Sequence, residues 1–362
     1  VDPQGWAFFS STMSCRCRFM VTLLVKAAGP AAYSIPMEQN AASAADGMGS
    51  SMPENQLYLP EGLRPPALFT PQSLRAALET GAVLEAAAER CDQHRDLWLS
   101  LGGIRARIPR EEAVAPWVSG ADRDIAVLSR VGKSVCFAVT GLRADEKGAP
   151  EAVLSRRAAQ ELAMAHFLEH LRPGAVITAV VTHLESFGAF VDMGCGIVAM
   201  LPIEFISVSR ISHPADRFRP GQKILAAVRN VDRARRRFTL THRELLGTWL
   251  ENASLFTPGE TVRGVVRSVK DYGTFIELTP NLSGLAENRP DIRPGDGVSV
   301  YIKSIRPERM KIKLQVIERL PPPAGPEPLR YQITDGVLDR WVYAPAGCEK
   351  PAAETVFTSA GL

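Results

Sequence analysis

Short apolar runs of three to eight residues, separated by polar turns, fill the middle of this 362-residue chain. In the first third they fall at 83–88, 97–101, 104–108, 135–140 and 152–154. The same five-part pattern returns at 176–182, 190–193, 197–201, 224–231 and 238–241. It returns once more at 262–269, 274–278, 282–286 (the weakest run), 298–305 and 311–316. Runs of this length bounded by turn residues read as strands, and five of them in about 75 residues predict a small barrel. Three rounds of one pattern predict three tandem copies of one unit.

Helical spacing appears only between the units. Thr70-Pro71 sets a cap and a first-turn proline before Leu74, Ala77 and Leu78, which predicts a short helix. Residues 156–171 place Ala159, Leu162, Ala163, His166, Phe167 and Leu171 on one face and stop at Pro173-Gly174. Residues 244–256 form a second predicted helical connector, ending at Pro258-Gly259. Beyond Leu320, Pro321-Pro322-Pro323 predicts a stiff extended spacer. The tail that follows holds one hairpin signal, Asp335-Gly336, between 331–334 and 337–343. Expected units are therefore 71–163, 173–245 and 258–318, with a Pro-rich linker and C-terminal tail at 321–362. Residues 1–55 are poor in groups to bury from Glu38 to Pro53, and read as a disordered tail or a mis-assigned start. The apolar stretch 19–25, flanked by Arg16, Arg18 and Lys26, gives a weaker signal-peptide reading.

The copies match residue by residue. Gly103-Ile104-Arg105-Ala106-Arg107-Ile108-Pro109-Arg110-Glu111 shares five identities with Gly196-Ile197-Val198-Ala199-Met200-Leu201-Pro202-Ile203-Glu204. Phe187-Gly188-Ala189-Phe190-Val191 recurs 85 positions later as Tyr272-Gly273-Thr274-Phe275-Ile276. Two rings three positions apart beside a glycine suit a place where a planar ligand, or another backbone, approaches the main chain closely.

Composition narrows the chemistry. With 46% hydrophobic and 22% charged residues the chain has the make-up of an ordinary globular protein, and no run reaches the roughly 18 apolar residues of a membrane span. No membrane partner is expected. Six scattered cysteines form no C-x-x-C pair, which points to a reducing, cytoplasmic setting without a disulfide framework or structural zinc. The six histidines sit in no catalytic motif, and no phosphate-cradling glycine loop exists, so no enzyme activity, small-molecule substrate, cofactor or metal is expected. His166 and His170, four apart on one helix face, lack a third ligand and read as part of that face.

A binding surface is better supported. Phe187 and Phe190 fall at the second strand of their unit, on the face such barrels use for oligonucleotides, where exposed rings stack on bases. The turn before the fifth strand reads Asp232-Arg233-Ala234-Arg235-Arg236-Arg237, suited to phosphate oxygens. In the third unit Tyr272 and Phe275 accompany Arg309, Lys311 and Lys313. Net charge is +4 over 173–245, +2 over 258–318 and zero over 71–163, so only the aromatic-bearing units are basic. The plainer reading makes these rings core residues and the arginines a solvated hairpin tip; recurrence of the whole arrangement argues against it.

These residues resemble a known family. Ala175-Val176, the Phe187 to Val191 motif, Gly221-Gln222, Val228, Val231-Asp232 and Leu240-Thr241 look like the RNA-binding repeat of bacterial ribosomal protein S1, and the third unit is similar through Gly264-Val265-Val266, the Tyr272 to Ile276 motif and Gly284-Leu285. The arrangement over about 80–320 resembles the compact S1-like proteins of clostridial-type bacteria. The resemblance implies a mainly β fold of tandem five-stranded OB-fold (S1-type) barrels joined by short helices. It implies single-stranded RNA, mRNA in particular, as partner, with the small ribosomal subunit as a second. By the family's pattern Phe187, Phe190, Asp232 and Arg236, with Arg237 beside them, form the RNA site of the second unit, and Tyr272, Phe275, Lys311 and Lys313 that of the third. The family's site histidine is replaced by Pro202 and Glu287, and its acidic residue by Arg306 in the third unit. The first unit has Leu97-Trp98 in place of the aromatic pair and is expected to be structural or protein-binding. An RNA-processing accessory that delivers RNA to a nuclease partner, and a protein-interaction scaffold, fit the same sequence.

Overall fold

The computed structural model describes residues 56–65, 67–118, 120–144, 148, 150–322, 325–348 and 353–358. The expectation for residues 1–55, and part of the proline run, lie outside them.

Strands form where alternation or apolar continuity called for them, and they close into three five-stranded barrels. The first comprises β1 (Val83–Cys91), β2 (Leu97–Leu101), β3 (Ile104–Ile108), β4 (Ser134–Ala144) and β5 (Pro150–Ser155). The second comprises β6 (Val176–Glu185), β7 (Gly188–Asp192), β8 (Val198–Pro202), β9 (Lys223–Asp232) and β10 (Arg237–Thr241). The third comprises β11 (Thr261–Lys270), β12 (Gly273–Thr279), β13 (Leu282–Ala286), β14 (Gly297–Arg306) and β15 (Lys311–Leu320). Each closes in the order first, second, third, fifth, fourth strand, with the third and fifth parallel and the rest antiparallel. Closure leaves no free edge within the barrel. Ala189, Val191, Leu201 and Leu240 fill the second interior; Ile276, Val300 and Leu314 fill the third. The nine-residue repeat emerges as a third strand leading into a one-turn 3-10 helix, with Pro109 and Pro202 at matching backbone angles before it.

Helix α1 (Pro71–Thr80) starts at Thr70, whose side chain accepts the Ser73 amide in a reciprocal capping box. A short helix, α2 (Ile125–Leu128), lies between β3 and β4. Helix α3 (Arg156–His170), capped by Ser155, buries Ala159, Ala163, Met164 and Phe167 between the first two barrels. The second connector departs from expectation. It is not one helix over 244–256: a 3-10 turn (Arg243–Leu246) stops at Gly247, whose φ of +87° no helix accommodates, and α4 (Trp249–Ala253) restarts from a Thr248 capping box.

Neighbouring barrels are joined by buried ion pairs. Between the first two, the Arg156 guanidinium donates to both Glu61 oxygens at 2.7 and 2.9 Å, and the Glu61 amide donates to Asp192 at 2.8 Å. Burial pushes the Asp192 carboxyl well above its usual range. Between the second and third, the Arg217 guanidinium donates to Glu277 at 2.5 Å, and Arg267 donates to the same carboxylate at 2.8 and 3.0 Å.

The tail is corrected as well. No hairpin forms at Asp335-Gly336; instead the Val176 amide donates to the Gly336 carbonyl and the Leu338 amide to the Gly174 carbonyl, so this segment pairs with the entrance to the second barrel. A separate two-stranded ribbon joins β16 (Arg340–Val342) to β17 (Glu354–Val356). The tail's rings are tied down: the Tyr343 hydroxyl donates to the Asn281 carbonyl at 2.5 Å, and the Tyr331 hydroxyl accepts the Leu225 amide at 3.1 Å. An aromatic side chain that buries its ring on a barrel and satisfies its hydroxyl there outcompetes a two-residue turn standing alone in water.

Candidate nucleic-acid interface

The Phe187 to Val191 motif is built by the β6–β7 hairpin. Ala189 and Val191 point into the barrel, Phe190 points out, and Phe187 sits in the turn. Phe187 is 52% exposed. The two rings meet edge to face with centroids 6.0 Å apart at 88°. The third barrel repeats this arrangement: Tyr272 is 72% exposed and meets Phe275 at 6.0 Å and 88°. Rings held edge to face leave a face of each open to a planar ligand.

The glycine between the rings serves the backbone. A Cβ on Gly188 would stand 2.6 Å from the Leu201 carbonyl oxygen, and one on Gly273 would stand 2.8 Å from that of Ala286. Of the two reasons the sequence allows for this glycine, close approach of the third strand is the one realised. It lets the turn fold tightly against that strand, and the Ile203 amide then donates to the Phe187 carbonyl at 2.9 Å.

Strand register shows what shares the face. Phe190 lies opposite Met200, which neighbours Thr239; Arg237, two residues along β10, points outward on the same sheet, about 7 Å away along the strand. In the third barrel Phe275 lies opposite Leu285, which neighbours Lys313, and Lys311 follows two residues along. Phe190 with Arg237, and Phe275 with Lys311 and Lys313, are thus brought onto one outward face. The remaining arginine and the aspartate belong to the turn. The Arg235 amide and guanidinium donate to Asp232 at 2.9 and 3.3 Å, and Arg236 adopts a left-handed φ of +52°. The backbone hydrogen bond from Arg235 holds the Asp232 carboxyl below its usual range. Asp232 therefore acts geometrically, by capping the turn that presents Arg236 and Arg237. In the third barrel Arg306 pairs with Lys311 as Asp232 pairs with Arg237, and Met310 takes the left-handed position, φ +46°.

One member of this face is not legible in the sequence. His183 is the cross-strand partner of Phe190, its ring nearly parallel to that ring at 25° with centroids 6.5 Å apart, and its Nε2 lies 2.7 Å from Glu185. A bulge between Val181 and His183 turns His183 outward where strict alternation would put it beside buried Val181. The same bulge in the first barrel aligns Arg90 with Trp98. Trp98 thus takes the position of Phe190, but the guanidinium groups of Arg90 and Arg105 already lie 4.8 and 5.3 Å from its ring centroid, and its Nε1 donates to Asp92 at 2.8 Å. With no ring at the Phe187 position, the first barrel shows one occupied indole where the others show an open pair.

Residues 170–243, the second barrel with its flanks, match the family model for the S1 RNA binding domain. The second barrel is thus an S1-type domain. Small ribosomal subunit protein bS1 of Leuconostoc lactis is 33% identical over 187 residues, covering 47% of this chain and 43% of the relative. The bS1 homolog of Bacillus subtilis is 29% identical over 208 residues, covering 52% of this chain and 53% of the relative. The match to these two S1-domain relatives thus spans about half the length of each. Among solved structures, a multidomain protein with nucleic acid binding domains from Streptococcus pneumoniae aligns with 67% of this chain and 75% of its own at 14% identity, with a TM-score of 0.23.

Among the described residues no helix is long and apolar enough to cross a membrane, and no group of three or more histidine, cysteine or acidic side chains has metal-site geometry. His166 and His170 instead stack on each other at 4.3 Å, with His170 Nδ1 3.0 Å from the His166 carbonyl.

Proposed function

We propose that this chain binds single-stranded RNA, and in particular mRNA during translation, as an S1-like factor of the cytoplasm that does no chemistry of its own. The observation that carries this reading is the twofold recurrence of a solvent-exposed aromatic pair in register with outward cationic side chains. Stacked rings hold bases without regard to sequence, and guanidinium and ammonium groups neutralise the phosphates between them. Residues Phe187, Phe190, Arg236 and Arg237, positioned by Asp232, form the site of the unit at 173–245. Tyr272, Phe275, Lys311 and Lys313 form that of the unit at 258–318. The unit at 71–163 supports them without an open platform. Two weak sites on one chain raise overall affinity by effective concentration. The likeness to bS1 proteins supports the small ribosomal subunit as second partner.

A fluorescence titration with single-stranded RNA of about 20 nucleotides, enough for two barrels, tests the RNA reading. Affinity falls linearly with salt on a log–log plot, with a slope of about 0.7 per phosphate contact. A salt-independent affinity, or equal binding to duplex RNA, sinks it. Co-sedimentation with small subunits tests the partner, and its absence would favour delivery of RNA to a nuclease.

A further inference from the structure

The exposed ring pair of the third barrel does not face open solvent on all sides. A loop of the second barrel, residues 207–211, is clamped beside it. The Val208 amide donates to Asn281 Oδ1 at 3.0 Å, the Ser209 amide donates to the Pro280 carbonyl at 3.0 Å, and the Ser209 and Ser283 hydroxyls lie 2.8 Å apart. Arg217, at the far end of the same connection, is locked onto Glu277, which stands two residues from Phe275 on the outward face of β12. The second barrel therefore covers part of the very face that carries the platform. Between them runs a groove of about 450 Å³, walled by Tyr272, Phe275 and Met310 from the third barrel and by Arg210 from the second, with Lys270 and Trp249 at its sides.

Two of its charges are unspent, whereas Arg267 on its wall is paired with Glu277. Arg210 and Lys270 are exposed, and neither side chain has an ion pair or hydrogen bond among the described residues. By turn geometry, the left-handed position that holds Arg236 in the second barrel holds Met310 in the third. The third barrel thus lacks its own arginine at the place where Arg210 arrives from next door.

We propose that the third RNA platform is a two-barrel site. A single-stranded nucleotide stacks its base on Tyr272 and Phe275 while Arg210 of the second barrel, with Lys270, holds the adjoining phosphate. Arg210 supplies a guanidinium beside the position where Met310 stands in place of an arginine. The strand then crosses the barrel boundary instead of occupying two independent sites, and the buried Arg217–Glu277 pair is what keeps the two walls in register. This rests on the RNA reading given above and goes further in assigning Arg210, Lys270 and the barrel junction to the site.

The test is a double-mutant cycle on the full chain with single-stranded RNA of about 20 nucleotides, using Arg210→Ala, Tyr272→Ala and both together. Arg75→Ala, an exposed arginine on α1 of the first barrel, controls for net charge. Arg210→Ala is expected to weaken binding about tenfold and to lower the salt slope by about 0.7. With Tyr272 already removed, the same change is expected to cost less than about threefold, because both side chains hold one nucleotide. If Arg210→Ala matches Arg75→Ala, or if its effect and that of Tyr272→Ala multiply fully, the two-barrel site is wrong while RNA binding stands. If the wild-type chain binds no single-stranded RNA, the functional reading itself fails, and this one with it.

Discussion

His242 ties the C-terminal tail to the second barrel, and acid should undo it. Its ring is fully buried: Nδ1–H donates to the Ile206 carbonyl at 2.8 Å, and Nε2 accepts from the Tyr331 hydroxyl at 3.1 Å, which itself accepts the Leu225 amide. Every hydrogen-bonding position of the neutral imidazole is used. Burial penalises the charged form and pulls the pKa from its ordinary 6.5 down to about 4. Because the folded-state value is depressed, the unfolded chain takes up a proton first as pH falls. The contribution is therefore intact above about pH 6.5 and is lost progressively between pH 6.5 and 4. The depression from 6.5 to about 4 corresponds to about 3 kcal/mol. Asp192 works the other way: its raised value stabilises the fold on acidification, over the range above its ordinary 3.8. A single melt would therefore mix the two, and the useful measurement is a difference. Urea unfolding of the wild type and of His242→Gln, whose amide can keep both hydrogen bonds without titrating, should be compared at about pH 7 and about pH 4. The wild type is expected to lose about 3 kcal/mol relative to the variant on acidification, since the Asp192 contribution cancels. A difference constant within about 0.5 kcal/mol across that range would show that His242 is neither buried nor held as described.

Three further outcomes are expected. Phe187→Ala with Phe190→Ala should weaken single-stranded RNA binding about 5- to 140-fold, the loss of one stacked base at about 1–3 kcal/mol, with the circular dichroism melt little changed because Phe187 is half exposed; unchanged affinity would remove the second barrel's platform from the site. Glu277→Gln leaves the Arg217 side chain, only 4% exposed, without its counter-charge, and should cost about 3–5 kcal/mol in denaturant unfolding; a loss under about 1 kcal/mol would mean that water already reaches that junction. Gly188→Ala pushes a methyl group into the Leu201 carbonyl and should destabilise the chain by about 1–3 kcal/mol, together with a weaker hold on RNA, whereas Gly141→Ala, where a Cβ meets only Val153 at an ordinary 3.9 Å, should leave the platform and its affinity intact.

What the chain's own pattern determined was the barrel. Strand positions, the threefold repeat and the aromatic pairs all follow from local rules: period-two burial, turn residues between runs, and a motif spaced identically in two units. All fifteen predicted strand runs appear, most lengthened by a residue or several at an end, because pairing partners extend a strand past the point where its own apolar signal stops. Tertiary structure decided the rest, and each case has one cause: a partner distant in sequence. The bulge that exposes His183 and aligns Arg90 with Trp98 is set by the neighbouring strand's register. The tail abandons its hairpin because Tyr331 and Tyr343 find burial on two different barrels. Arg210 reads in sequence as one more solvated loop arginine. Only the packing of one barrel against the next, through Ser209, Asn281 and the Arg217–Glu277 pair, brings it to the edge of another barrel's rings.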